Sequence, residues 1–512
     1  MTKKKIRVLH IGKQDWTLDV NENFASQLDW SFIDPQKVDS DDLEEFISSQ
    51  NGRSFEAVLC TDLLDNNLLE KIAPFIETYG LIIDSSLSSN LLPLLKKKKL
   101  PVIINTDNKF KVLQNICENF FSGQMGSKLH TNTIKINDEF CGKREIIGEV
   151  SLTLTGDFSK LSGRNILNWQ YNIGMSQRSK KLWLEYICDD DVDITMHILG
   201  TREGGDEIVM DSIYSKKEID NGLEIEYKKN IGYLSIALSA YGKGKLQVGP
   251  LHYRDSRHGY GEYILGGRRI VDQYKQELFY YFNPGNLKPP LNVYFSGYRS
   301  AEGFEGFYMM KNLGAPFLLI TDPRLEGGSF YMGSEVLENK LKNVIENCLK
   351  YLGFTSKELI LSGLSMGTYG ALYYSSALDP HSVIIGKPLV NVGNIAKNER
   401  IVRPGGFPTS LDILRSLTGK LDESGVKELN QRFWKKFNES DFENTQFIIA
   451  YMKNDDYDQT AYSDLVEYLS HTSSVVVGKG ISGRHNDNSQ AINQWFLHQY
   501  RRVLSEYFQQ EV

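Results

Sequence analysis

The chain has 512 residues, 41% hydrophobic and 24% charged. That is the balance of a folded globular protein too long for one core, so two to four domains are expected. A net charge of −7 gives no general reason to expect nucleic acid as a partner, and none is expected. Cys60, Cys117, Cys141, Cys188 and Cys348 are scattered with no C-x-x-C pair, which fits a reducing compartment and suggests no metal site.

The N-terminus carries lysines, but Lys13, Gln14 and Asp15 interrupt it before any signal-peptide core could form. No run of about 18 apolar residues follows, so no membrane span is predicted. The expected location is the cytoplasm, or the inner face of the cell membrane as a peripheral protein.

Residues 1–125 alternate strand-like and helix-like segments. Ile6 to Ile11, Phe55 to Cys60, Leu81 to Asp84 and Val102 to Asn105 read as short strands. The segment holding Leu68, Leu69 and Ile72 has helical spacing. This predicts a small Rossmann-like α/β domain with a parallel sheet. No G-x-G-x-x-G follows the first strand, and no G-K-S/T occurs, so a nucleotide site is unsupported and a scaffold role is preferred. Lys96 to Lys99 are expected in a solvated loop before Pro101.

Residues 126–275 show period-two alternation at Ser151 to Thr155, Val192 to Ile198 and Tyr233 to Ser239. The expectation is a β-sandwich inserted between two α/β regions. Trp169, Trp183, Tyr186 and Tyr233 could serve a carbohydrate-binding-like face, or simply pack the core. Residues 249–269 read as a polar connector holding His252, Arg254, Arg257 and His258.

From 276 to 512 the α/β alternation returns. The strand Leu291 to Phe295 opens into Ser296, Gly297 and Tyr298. Next, Leu359 to Leu361 lead into Gly363-Leu364-Ser365-Met366-Gly367, followed by a helical pattern. G-x-S-x-G between strand and helix is the nucleophile elbow of α/β-hydrolases. Its serine is exposed on a strained turn, and its flanking glycines let strand and helix approach. The backbone N–H of Met366, with one near Gly297 or Tyr298, would form the oxyanion hole.

A free hydroxyl is a weak nucleophile, so Ser365 needs a base, and in this fold the chain order is serine, acid, histidine. Of His471, His485 and His498, only His485 hangs in a glycine-containing loop just past the last strand, Val475 to Val477. The acid should follow the strand Gln446 to Tyr451, where Asp455, Asp456 and Asp458 stand. Asp455 is the first choice, with Asp456 and Asp458 as alternatives.

The chain resembles the family of second accessory secretory proteins in the accessory Sec system of streptococci and staphylococci. The carrying stretches are Ile6 to Gly12, Gly363 to Gly370, and Val402-Arg403-Pro404-Gly405-Gly406-Phe407-Pro408-Thr409-Ser410. The resemblance implies O-acetylation of N-acetylglucosamine residues on serine-rich repeat adhesins. It also implies a part in exporting those glycoproteins, with the sister accessory proteins and the accessory SecA motor as partners. The family's serine, acid and histidine fall on Ser365, Asp455 and His485.

No bound cofactor is expected. An acetyl donor is required, with acetyl-CoA the candidate although no adenine-nucleotide motif occurs in the sequence. The alternatives are a carbohydrate or small-ester esterase, which needs the same triad, and a non-catalytic scaffold of the secretion complex.

Overall fold

Ile6–Ile11 is buried at every position, as a strand covered on both faces must be. The structure, a computed structural model, describes residues 4–62, 66–87, 92–161 and 163–511. The chain forms two compact units. One comprises residues 1–124, 256–268 and 283–287; the other holds 125–255, 269–282 and 288–512.

The first unit is a five-stranded parallel sheet in the order Leu28–Ile33, Ile6–Ile11, Ala57–Cys60, Leu81–Asp84, Val102–Ile104. Alternate residues of its second strand feed two cores. Ile6 and Val8 pack with Trp16, Val20 and Ile116, while Leu9 and Ile11 pack with Leu43, Ile72 and Leu95. The strand Leu28–Ile33 escapes sequence reading because Asp29 and Ser31 break its apolar run and its middle is not buried.

Lys96 to Lys99 lie in the helix Pro93–Lys99, not in a loop. Proline at the first helical position starts that helix, and lysines extend it readily. Arg257 is also differently placed from expectation. It is fully buried in this unit and donates to the carbonyls of Asn119, Phe121, Gly123 and Tyr263. His258 bonds Asn119 beside it, with Nδ1 to Oδ1 at 2.7 Å.

In the second unit, the 23-residue strand Tyr233–Asp255 runs through an antiparallel region with two faces. Its first half pairs with Val192–Thr201 and its second with Lys180–Cys188. Residues from both faces, such as Met196, Leu238, Leu184 and Val248, share one core. Trp169, Trp183 and Tyr186 are buried, whereas Tyr233 is exposed.

His252 and Arg254 stand on that long strand, not in a connector, and both are fully buried. His252 lies between Glu302 at 2.6 Å and Glu185 at 3.0 Å. Burial alone would lower its pKa, but the two carboxylates outweigh it and raise it to about 9. Arg254 makes a two-pronged pair with Glu277. Lys128, also buried, donates to the carbonyls of Pro323 and Leu325 and so fastens the antiparallel region to the 323–331 loop.

The remainder of this unit is an eight-stranded sheet. Its parallel run reads Phe317–Thr321, Leu291–Phe295, Leu359–Leu364, Ser382–Gly386, Gln446–Met452, Val475–Ile481. The chain is thus an α/β protein with several sheets. The elbow strand is central, so the loops after its neighbours converge at one edge. Among the described residues, no helix is long and apolar enough to cross a membrane.

Candidate active site

Strand Leu359–Leu364 ends at Ser365, and helix Met366–Leu378 begins immediately after it. Ser365 has φ +53° and ψ −121°, a conformation costing a non-glycine residue about 1–3 kcal/mol. A Cβ on Gly363 would collide with the backbone of Gly367, and one on Gly367 with the Phe295 carbonyl. Both glycines are therefore demanded by close backbone approach. The turn is held by Ser365 N–H to the Gly386 carbonyl at 2.9 Å.

Ser365 Oγ lies 2.8 Å from His485 Nε2. His485 Nδ1 lies 2.8 Å from Asp455 Oδ2. The imidazole and its acid are both buried, with side chains 2% and 7% exposed. A carboxylate at Nδ1 fixes the proton there and leaves the Nε2 lone pair facing the serine hydroxyl. Asp455 is itself oriented, its Oδ1 accepting the amides of Tyr457 at 2.9 Å and Asp458 at 3.3 Å.

The neighbouring acids are engaged elsewhere. Asp456 accepts the His485 backbone N–H at 3.0 Å and the Arg403 guanidinium at 2.6 Å. Partial burial opposes its ionisation, but those bonds hold its carboxyl below the usual range. Asp458 accepts the amides of Val390 and Asn391 at 2.8 and 2.6 Å. Burial raises its carboxyl even against those donors.

Of the expected oxyanion donors, Met366 opens the helix, where an N–H has no intrahelical partner. Gly297 differs from expectation: its N–H donates to Glu305 Oε2 at 2.7 Å. That leaves the amide of Tyr298, the next residue, as the loop's remaining candidate donor. The Glu305 carboxylate ties the loop down one residue earlier, and sequence reading missed it because it lies eight residues past the turn in an irregular segment.

Beside Ser365 is a cleft of about 560 Å³, within the range of small-molecule sites. Its walls include Glu149 from the antiparallel region, Tyr298, Glu326, Phe407, Asp412 and Tyr457. Burial, with a smaller contribution from Glu149, pushes the Asp412 carboxyl up to about 6 against the Glu149 N–H that bonds it. His130, Glu149 and Glu326 each bring one metal-capable atom within 4.8 Å of the others. Here the imidazole bridges the two carboxylates, at 2.9 and 3.5 Å. Asn132 and Tyr298 donate to the remaining oxygens of Glu149 and Glu326. None of these acids had a sequence signal, since they come from a turn, a loop and a helix far apart in the chain.

The profile of the accessory Sec system GspB-transporter family matches residues 6–510. The chain belongs to that family. It is 38% identical over 512 residues to the second accessory Sec system protein of Streptococcus gordonii, covering 99% of each chain. It is 39% identical over 516 residues to its Staphylococcus aureus counterpart, covering 99% of this chain and 98% of that one. Its fold matches a chain of the solved Glycosylation Associate Protein (Gap123) complex from Streptococcus agalactiae, at TM-score 0.89 and 38% identity with full coverage of both.

The stretch Val402 to Ser410 packs at the site. The Arg403 guanidinium stacks on the Tyr457 ring at 3.7 Å, and that ring meets His485 edge-on at 4.4 Å. Tyr457 Oη donates to the Gly406 carbonyl at 2.9 Å.

Proposed function

We propose that this accessory Sec protein is a serine-dependent O-acetyltransferase acting on N-acetylglucosamine residues of serine-rich repeat adhesins. The observation that carries the reading is the hydrogen-bonded chain Ser365–His485–Asp455, two links of 2.8 Å in a buried setting beside an open cleft.

In the first half-reaction, His485 Nε2 takes the Ser365 proton while Oγ attacks the donor's acetyl carbon. The amides of Met366 and Tyr298 would stabilise the developing oxyanion, and His485 returns the proton to the leaving group. In the second, an acceptor sugar hydroxyl gives its proton to His485 and attacks the acetyl carbon. The bond from that carbon to Ser365 Oγ then breaks, and His485 reprotonates Oγ. Water attacking in place of the sugar would make the same site an esterase. Acetyl-CoA is the first donor to test.

A second role is favoured by the distribution of the site. Every described residue lining the cleft belongs to the second unit, which leaves the first unit for assembly. The Streptococcus agalactiae relative was solved as part of a Glycosylation Associate Protein (Gap123) complex. We infer that this chain likewise assembles with other accessory Sec proteins, working with the accessory SecA motor on the cytoplasmic side before the adhesin is exported.

The test is Ser365→Ala in the full chain, scored for acetylation of a glycosylated adhesin acceptor and for co-purification with partner proteins. Acetylation should vanish and assembly persist. Undiminished acetylation by the alanine variant would sink the mechanism, and release of free acetate with no acetylated sugar would sink the transferase reading.

A further inference from the structure

A transferase must hold its acceptor against the acyl-enzyme well enough to outcompete water, and the cleft shows which groups are placed to do so. Glu149 lies in the turn between strands Lys143–Ile147 and Ser151–Asp157, and Asp412 lies on helix Thr409–Thr418. The two elements meet beside the serine. Glu149 N–H donates to Asp412 Oδ1 at 3.3 Å. Gly148 has φ +46°, and a Cβ there would collide with that same oxygen, so the turn is shaped around the Asp412 carboxyl. Asp412 Oδ2 has no protein donor among the described residues.

The Glu149 side chain is fixed by Asn132 at 2.8 Å and His130 at 2.9 Å, and His130 reaches on to Glu326. Each ionised carboxylate has about four acceptor positions, so oxygens held this way retain capacity for a ligand's O–H or N–H donors. Glu149, Glu326 and Asp412 all line the cleft, and no lysine or arginine does among the described residues. The rings of Tyr298, Phe407 and Tyr457 supply the apolar part of the wall, with centroids 5.8 and 6.3 Å apart in sequence.

We propose that Glu149 and Asp412 are the specificity-determining residues for the acyl acceptor, accepting hydrogen bonds from an uncharged, hydroxyl-rich molecule and excluding anionic ones. The inference rests on the acyl-transfer reading above. It gives the antiparallel region a direct share in substrate choice, since Glu149 is that region's side chain in the cleft. Both carboxylates are half-buried, and a bound acceptor would withdraw them further from water; a ligand lacking the donor would then leave them unpaired, and a ligand carboxylate would meet like charge. The raised pKa of Asp412 fits a carboxyl withdrawn from water and awaiting a donor.

The experiment measures how the acetyl-enzyme formed from p-nitrophenyl acetate divides between water and an added acceptor. The acceptors are methyl N-acetylglucosaminide and, as an anionic analogue, methyl glucuronide. Wild-type full-length chain should favour the neutral sugar. In Asp412→Asn and Glu149→Gln the ratio of transfer to hydrolysis should fall about tenfold, and the preference over the uronate should shrink similarly. Asparagine keeps an oxygen for the Glu149 amide, so folding should survive, and thermal unfolding checks it. Wild-type transfer with a ratio and preference that neither folded variant changes would overturn the assignment alone. Wild-type acetyl-enzyme that passes its acetyl group only to water would overturn the transfer reading, and this inference with it.

Discussion

Replacing Asp455 by asparagine should be worse than its near-isosteric shape suggests, because the surrounding donors dictate how the amide sits. Asp455 Oδ1 accepts the backbone N–H groups of Tyr457 and Asp458 at 2.9 and 3.3 Å. Only the carbonyl oxygen of an asparagine can take those bonds. The NH₂ group must then occupy the place of Oδ2, 2.8 Å from His485 Nδ1. An N–H pointing at Nδ1 forces that nitrogen to accept, so the imidazole proton moves to Nε2. Nε2 lies 2.8 Å from Ser365 Oγ, where a lone pair is needed.

A base trapped in the wrong tautomer costs about 10⁴ in rate. That corresponds to about 5.4 kcal/mol of barrier. Asp455→Ala removes orientation but imposes no tautomer, so it should be the milder substitution although it is the larger chemical change. The assay is the burst of p-nitrophenol from p-nitrophenyl acetate, with thermal unfolding as the folding control. An asparagine variant that keeps more than about a tenth of the wild-type acylation rate, or that outperforms alanine, would refute the tautomer argument.

Glu305→Gln replaces a charge-assisted bond to Gly297 N–H with a neutral one, and should loosen the oxyanion loop. We expect kcat for acylation to fall about tenfold or less with KM nearly unchanged; a rise in KM alone would mean that Glu305 serves binding instead. His252 has its pKa raised to about 9, so its charge stabilises the fold fully below its unfolded value of about 6.5 and is lost as pH climbs through 9. Urea unfolding between pH 6 and 10 should show that decline. In His252→Gln the decline should vanish, and stability near pH 6 should drop by about 3–5 kcal/mol because Glu185 and Glu302 stay buried without the imidazolium between them, with Lys128 left beside Glu302 at 3.5 Å.

Local pattern made much of the C-terminal region legible in the sequence. The G-x-S-x-G elbow is a backbone problem with few solutions, since close approach of strand and helix demands glycine at 363 and 367. The positions of Asp455 and His485 after successive strands follow from parallel topology, which returns each strand end to the same edge of the sheet. Three adjacent acids could not be separated that way. Asp455, Asp456 and Asp458 share one loop, and only the direction of each side chain assigns one to His485, one to Arg403 and one to the amides of Val390 and Asn391.

The sequence by itself determined the α/β character, the strand that presents Ser365, and the family, because these rest on residues close together in the chain. Tertiary structure alone decided that Gly297 gives its amide to Glu305, that His252 and Arg254 are buried in ion pairs, and that Glu149 meets Asp412 across 263 residues of chain. Those facts depend on which surfaces pack against each other. A polar residue carries the same letter whether it faces water, a buried counter-charge or the wall of a cleft, and only the packed fold supplies the difference.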